Sequence, residues 1–132
     1  MSELETFEDQ MKVLAIKVYS KQAKILEEFT LAGLYSSKSE ILRGAAWDLL
    51  QMVNQSKSTE KSDQKNIKPF QEINEIFVSP TKSICSKIPL KLLTSIDFIV
   101  NQRYFKNRSE FFRVALSSYL TSDSEIFSHY LK

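Results

Sequence analysis

The sequence predicts a mainly helical fold around one two-stranded antiparallel ribbon, built from two copies of a strand–helix–helix unit in the same chain. The first observation is an internal repeat, since residues 13–50 align without a gap with residues 83–120. The second is that each copy opens with alternating apolar and polar residues, which is typical of a strand with one buried face. The third is a helix-starting capping box in each copy, at residues 37–40 and 107–110.

The repeat rests on agreement of pattern more than on identity. Seven of the 38 aligned pairs are identical: Lys17/Lys87, Lys21/Lys91, Ser39/Ser109, Glu40/Glu110, Arg43/Arg113, Ala45/Ala115 and Leu50/Leu120. The repeat divides the chain into a first copy over residues 12–53, a linker with a short packed segment over 54–81, a second copy over 82–120 and a C-terminal helix over 121–132.

The first element of each copy is the predicted strand. Its apolar positions are Leu14, Ile16 and Val18 in the first copy and Ile84 and Ile88 in the second, where Ser86 stands at an inward position. A lone strand leaves its backbone groups unpaired, and a two-stranded ribbon is stable only when helices cover one face. We therefore expect the strands to pair antiparallel beneath four helices. The outward face then carries Val13, Ala15, Lys17, Ser83, Cys85 and Lys87.

Two amphipathic helices follow each strand. The first has its apolar positions at Ala23, Leu26 and Phe29, matched by Leu93, Ile96 and Ile99. Pro89 is expected at the first helical position of the second copy, and Gly33 is expected to end the first helix of the first copy. Residues 54–66 contain no apolar side chain and are expected to form a flexible linker. A further capping box at residues 122–125 predicts the C-terminal helix.

Composition excludes most catalytic classes. The 132 residues include one Cys, one His and two Gly, too few for a disulfide, a Cys/His zinc site, a Ser-His-Asp triad or a glycine-rich phosphate loop. We therefore expect no enzyme, no cofactor, no metal and no small-molecule substrate. The longest apolar run is four residues and the first ten residues are acidic. Neither a membrane span nor a secretory signal is expected, which favours an intracellular, cytoplasmic protein.

Charge is concentrated in the two copies. Residues 12–43 carry six basic and three acidic side chains, and residues 82–113 carry seven and two, although the net charge is only +2. A two-stranded ribbon fits the major groove of B-DNA, where outward side chains can contact base edges. The charge and the ribbon together favour double-stranded DNA as the partner.

The order of strand, Pro89, amphipathic helix, residues 105–110 and amphipathic helix resembles the ribbon-helix-helix DNA-binding proteins of the MetJ, Arc and CopG type. The resemblance covers the 38 aligned residues of each copy. It implies that the outward strand residues read bases and that the backbone amides opening the second helix hold a phosphate. Transferred by position, the base-contacting residues are Val13, Ala15, Lys17, Ser83, Cys85 and Lys87. The phosphate-contacting residues are Ser37, Lys38, Ser39, Asn107, Arg108 and Ser109.

This chain departs from that pattern at several positions. Tyr19 replaces the usual proline in the first copy, and the second copy has no glycine between its helices. Family members usually pair separate chains, whereas this sequence predicts a fused pair, a tandem ribbon-helix-helix that forms a pseudo-dimer within one chain. Fused pairs occur among regulators of archaeal viruses, so the resemblance also implies a viral protein that acts in the host cytoplasm.

Three functions are consistent with the sequence. The favoured one is a sequence-specific transcriptional regulator, such as a repressor, that assembles as a homodimer or higher oligomer on DNA. The second is an antitoxin-like DNA-binding protein that also grips a protein partner through residues 69–78 and 122–131. The third is an interaction module without DNA binding, in which Lys17 and Lys87 are ordinary surface lysines. Trp47 either packs on the terminal segments or marks an oligomer contact, for which Phe98 and Val100 are further candidates.

Overall fold

The computed structural model describes residues 10–59 and 77–122. Within them the chain runs through two strands and four helices: β1 (Met11–Tyr19), α1 (Ser20–Leu31), α2 (Lys38–Thr59), β2 (Thr81–Pro89), α3 (Leu90–Asn101) and α4 (Arg108–Ser122). The predicted class, mainly helical with one two-stranded antiparallel sheet, is confirmed for this part of the chain. Each strand is followed by two helices, as the sequence repeat predicts.

The register of the ribbon places Ala15 directly opposite Cys85 at its centre. Lys17 pairs with Ser83 on one side of this central pair, and Val13 pairs with Lys87 on the other. Each strand is extended by one further hydrogen bond, from the Ser20 N–H to the Pro80 carbonyl and from the Leu90 N–H to the Gln10 carbonyl. The ribbon is therefore continuous from one helix start to the other.

The predicted alternation of faces is confirmed in both strands. The inward side chains are buried, namely Leu14, Ile16, Val18, Ile84, Ser86 and Ile88, whereas the outward ones between them are exposed. Ser86 can occupy its inward position because its hydroxyl lies 2.8 Å from the Ser39 Oγ, which satisfies the buried polar group.

The helices close the inward face of the ribbon. α2 and α4 pack against each other, while α4 also packs on β1 and α2 on β2, so that each strand is contacted by a helix from the other half of the chain. Phe111 and Phe112 of α4 are fully buried and meet edge to face, with ring centroids 5.5 Å apart. One hydrophobic core therefore joins the two halves.

The sequence-based placement of Pro89 is wrong by one residue. Pro89 ends β2 and is the N-cap of α3, with φ −60° and ψ 138°, so Leu90 is the first helical residue. Proline suits this place because its fixed φ allows the extended conformation and its missing N–H is not required by the helix. Tyr19 is the corresponding N-cap of α1, with φ −67° and ψ 143°. The same backbone geometry is thus reached without proline.

α2 and α4 extend beyond their predicted limits. α2 continues to Thr59, six residues into the segment assigned to the linker, because residues 54–59 contain neither Gly nor Pro to stop it. Phe77 is buried in the core where the chain approaches β2. α4 ends at Ser122 and so includes the first two residues of the segment predicted as a separate C-terminal helix. Residues 60–76 of the predicted linker and residues 123–132 of the predicted C-terminal helix lie outside the described residues. In the described part of the chain, no helix is long and apolar enough to span a membrane.

Candidate nucleic-acid interface

The outer face of the ribbon carries three cross-strand pairs, Lys17–Ser83, Ala15–Cys85 and Val13–Lys87. All six residues, which the sequence predicted as base contacts, are exposed on one surface. The two lysines belong to the outer pairs and stand four residues apart along the ribbon, or about 14 Å at 3.4 Å per residue. The two lysines therefore lie at opposite ends of the face, with the small side chains of Ala15 and Cys85 between them.

Helix N-termini flank this face on both sides. The Ser109 Oγ, in the first turn of α4, accepts a hydrogen bond from the Lys17 backbone N–H at 3.0 Å. The Ser39 Oγ, in the first turn of α2, accepts one from the Lys87 N–H at 3.2 Å. Each helix start is thereby fixed beside the outward lysine of the strand from the other half of the chain.

Two arginines complete these edge contacts. Arg113 donates from Nη1 to the Lys17 carbonyl at 3.1 Å, and Arg43 donates in the same way to the Lys87 carbonyl at 3.2 Å. Arg113 also stacks on the Tyr19 ring, with its guanidinium carbon 5.6 Å from the ring centroid. At Lys17 and Lys87, the backbone N–H and C=O that face the strand edge are thus both bonded by side chains of one helix.

The sequence pattern predicted no role for Arg43 or Arg113. The signal was available, because Lys17/Lys87, Ser39/Ser109 and Arg43/Arg113 are three of the seven identical pairs of the repeat. All three occur together in the edge contacts. Lys12 and Lys82 were also overlooked, although they are identical at the same spacing of 70 residues and exposed at the starts of the two strands.

Comparison of the chain with protein-family models, with curated proteins and with solved structures finds no match in any of the three.

The N-caps of α2 and α4 have the predicted residues but a modified geometry. Ser37 Oγ accepts from the Glu40 N–H at 3.2 Å, and Asn107 Oδ1 accepts from the Glu110 N–H at 2.8 Å. The returning bond of the capping box is shifted by one residue, since Glu40 accepts from the Ser36 N–H rather than from Ser37.

Glu110 makes the equivalent bond with the Lys106 N–H, at 2.5 Å. Hydrogen bonds from the backbone N–H and the hydroxyl of Ser36 lower the pKa of the Glu40 carboxyl. Both glutamate side chains thus accept hydrogen bonds from the residue that precedes the N-cap.

This arrangement leaves helix amides available at both N-termini. The N–H groups of Lys38 and Ser39, and those of Arg108 and Ser109, belong to the first two helical positions and have no intrahelical acceptor. Within the described residues, no side chain accepts a hydrogen bond from them either. Together with the helix dipole, such amides favour an anion at this place.

The two helix starts differ in their basic side chains. Arg108 forms a bidentate ion pair with Asp97 of α3, with N–O distances of 2.8 and 2.9 Å, and this hydrogen bonding raises the pKa of Arg108. Lys38 stands at the equivalent position of α2 and forms no ion pair with any described residue. Lys38 is therefore free to contact an anion, whereas Arg108 must exchange its carboxylate partner first.

The candidates for an oligomer contact lie on the helices, away from the ribbon. Trp47 is 43% exposed on α2 and Phe98 is 57% exposed on α3, while Val100 is partly buried against the core. Cys85 is a free thiol on the outer face of the ribbon. Among the described residues, no group of His, Cys, Asp and Glu side chains is arranged to hold a metal ion.

Proposed function

We propose that this protein is a sequence-specific regulator of transcription that binds double-stranded DNA and inserts the outer face of its ribbon into the major groove. The observation that carries the proposal is the placement of one open helix N-terminus beside each outward lysine of the ribbon. Base edges and phosphates are bound by different chemical groups, and on this surface the side chains suited to bases lie beside the helix amides suited to phosphates.

The ribbon supplies the groups suited to base edges. A lysine ammonium can donate to the O6 and N7 atoms of guanine, a serine hydroxyl suits several bases, and small apolar groups suit the thymine methyl. The spacing of about 14 Å between the lysines corresponds to about four base pairs at 3.4 Å each. One ribbon is thus suited to a short subsite with guanines at its ends.

The helix starts supply the groups suited to phosphates. The amides of residues 38, 39, 108 and 109 are available to phosphate oxygens, and the Lys38 side chain adds a charge beside one pair. Because the starts of α2 and α4 lie on opposite edges of the ribbon, we propose that they hold the two backbones that border the groove.

We further propose that the two strand–helix–helix units act as a tandem ribbon-helix-helix pseudo-dimer. The register supports this, since the position of Ala15 in one strand equals that of Cys85 in the other. The edge contacts of Lys17 with Ser109 and Arg113 are repeated by Lys87 with Ser39 and Arg43. A pseudo-twofold axis through the central pair relates these contacts.

The test is selection of bound sites from random duplexes, followed by binding measurements as a function of salt. Affinity should fall with a log–log slope of roughly −0.9 per phosphate neutralised. Lys17→Ala and Lys87→Ala should each weaken binding to the selected site by about 1–3 kcal/mol without loss of the fold. Lys24→Ala, which removes an exposed charge from α1 rather than from the ribbon, is the matched control and should change binding much less.

Two results would refute the proposal. One is the absence of a selected sequence together with salt-independent binding. The other is an equal effect of Lys24→Ala and of the double variant Lys17→Ala/Lys87→Ala at the selected site.

We also propose that two chains assemble side by side on a longer site, since one ribbon covers few base pairs. Exposed Trp47 and Phe98 are the candidate contacts. The mass of the complex on a long duplex measures this, and one chain per duplex would exclude it.

A further inference from the structure

The two ends of the ribbon's outer face differ in chemistry. At the end that holds Lys87, the neighbouring outward side chains are Val13, directly across the ribbon, and Met11, one pair further on. Both are apolar, and they are 61% and 47% exposed. This end therefore combines one ammonium group with an exposed hydrocarbon surface.

The end that holds Lys17 has hydroxyl groups in the same places. Ser83 lies directly across from Lys17, and Thr81 occupies the next outward position of β2. Both are exposed. This end combines an ammonium group with two groups that can donate and accept hydrogen bonds.

The pseudo-twofold axis relates Val13 to Ser83 and Met11 to Thr81. In a ribbon made of identical strands these positions would be the same, and both ends would contact the same bases. Here only the lysines agree. The two residues of the central pair, Ala15 and Cys85, differ less from each other because both are small.

Exposed apolar side chains at a binding surface favour an apolar partner group. Val13 and Met11 are fixed on the outer face by the strand register, so they cannot turn into the core without the whole strand shifting by one residue. In the major groove the exposed apolar group is the C5-methyl of thymine. The hydroxyls of Ser83 and Thr81 instead suit the donors and acceptors of other base edges.

We infer that the ribbon reads a directional, non-palindromic subsite. It has a guanine at each end, a thymine methyl beside the guanine at the Lys87 end, and a hydrogen-bonding base edge at the Lys17 end. This inference rests on the proposed binding of duplex DNA through the ribbon. Val13 and Ser83 are then the residues that determine its direction.

The test uses selected sites on short duplexes that hold one chain. Each thymine in the site is replaced in turn by deoxyuridine, which removes only the methyl group. At one thymine beside an outer guanine, the replacement should weaken binding by about fourfold, the value of one buried methyl group. At the position related by the pseudo-twofold axis, a thymine or a uracil should bind equally well.

Two variants test whether the loss of affinity on replacing thymine by deoxyuridine depends on the side chains of this ribbon. Val13→Ser should bind thymine and uracil duplexes equally, because it removes the apolar contact. Ser83→Val should make the second position sensitive to uracil as well, which converts the preferred subsite into an inverted repeat. Both changes are at exposed positions, and circular dichroism and the urea midpoint verify that the fold is intact.

The outcomes separate the inference from the proposed function. Selected sites that are perfect inverted repeats within a one-chain footprint would overturn the inference and leave DNA binding standing. Uracil effects that persist in Val13→Ser would do the same. Failure to select any sequence would overturn the proposed function and the inference with it.

Discussion

At the scale of single residues, the turns after α1 and α3 have the same hydrogen-bonded backbone geometry but differ in backbone strain. After α1, the Leu34 N–H bonds the Phe29 carbonyl with Gly33 at φ +82°, and after α3 the Tyr104 N–H bonds the Ile99 carbonyl. The left-handed residue of the second turn is Arg103, with φ +71°. The absence of a second glycine thus leaves the turn intact, but a residue with a Cβ carries the strain.

We predict that Arg103→Gly increases the free energy of unfolding by about 1 kcal/mol, because left-handed backbone costs a non-glycine residue about that much. Arg103→Ala keeps the backbone strain and serves as the control, with no comparable gain. Urea unfolding measures both. Equal stability of the two variants would show that Arg103 is not strained.

Gly33 allows the opposite substitution, in which a left-handed glycine is replaced by a residue with a Cβ. A Cβ built at this position has no neighbour within 4 Å, so only the positive φ opposes a side chain. Gly33→Ala should therefore lower the free energy of unfolding by about 1 kcal/mol. An unchanged urea midpoint would contradict the left-handed geometry of this turn.

Tyr119 gives a prediction for pH dependence. Burial, followed by a hydrogen bond with Tyr35, raises the pKa of Tyr119 from 10.0 to about 12. The unfolded chain therefore loses this proton first, so the contribution of Tyr119 to stability is complete below pH 10 and is lost as the pH rises through 12. Tyr119→Phe should show a smaller fall in unfolding free energy between pH 10 and 12 than the parent chain. Identical slopes in this range would contradict the assignment.

Gln22 shows what the sequence could not predict at this scale. Its fully buried amide accepts from the Tyr19 N–H and donates to the Arg113 carbonyl and the Ser117 hydroxyl. Two of these partners lie more than 90 residues away along the chain. No local pattern encodes such contacts, and the repeat offers no guide because the equivalent residue is Leu92.

At the scale of elements, the strands and helix starts could be predicted because their signals are local. Alternation fixed the faces of both strands, and Ser37 and Asn107 marked the starts of α2 and α4. Helix ends were harder, since no Gly or Pro stops α2 before Thr59. The edge contacts could not be derived either, because they depend on how helices from one half dock on a strand of the other.

The edge contacts predict unequal effects of two equivalent substitutions. Ser109→Ala removes one hydrogen bond to a strand N–H and should cost about 1 kcal/mol. Ser39→Ala should cost about 1 kcal/mol more, because it also leaves the buried Ser86 hydroxyl without its partner. Urea unfolding of these variants measures the difference.

A double-mutant cycle supplies the control. The variant Ser39→Ala/Ser86→Ala should regain most of the additional loss, since no buried hydroxyl then remains unpaired. Equal costs of Ser39→Ala and Ser109→Ala, or additive effects of Ser39→Ala and Ser86→Ala, would contradict the contact.

At the scale of the whole molecule, the decisive feature is that one chain supplies both strands. The N–H and C=O of Lys17 face the outer edge, toward Ser109 and Arg113, so Lys17–Ser83 is a non-hydrogen-bonded pair. Two residues on, Ala15–Cys85 is the same kind of pair, with Cα atoms about 4.5 Å apart. That separation permits a disulfide.

We predict that Ala15→Cys forms a disulfide with Cys85 within one chain on mild oxidation. A non-reducing gel at low protein concentration should show a cross-linked monomer, and peptide mapping should join the two strands. Ala15→Ser is the control and should not cross-link. Cross-linked dimers as the main product would show that the strands of each ribbon come from different chains.

Protection of Cys85 from labelling tests most directly whether the outer face of the ribbon lies against DNA. The rate of maleimide labelling is measured with and without the selected duplex. A control chain with Cys85→Ser and Asn54→Cys carries its thiol on α2, 16 residues from Lys38 and so about 24 Å from the helix start. Labelling of Cys85 should slow in proportion to the fraction of chain bound, while the control should label at the same rate throughout. Unchanged labelling of Cys85 in chains saturated with DNA would contradict binding through the outer face of the ribbon.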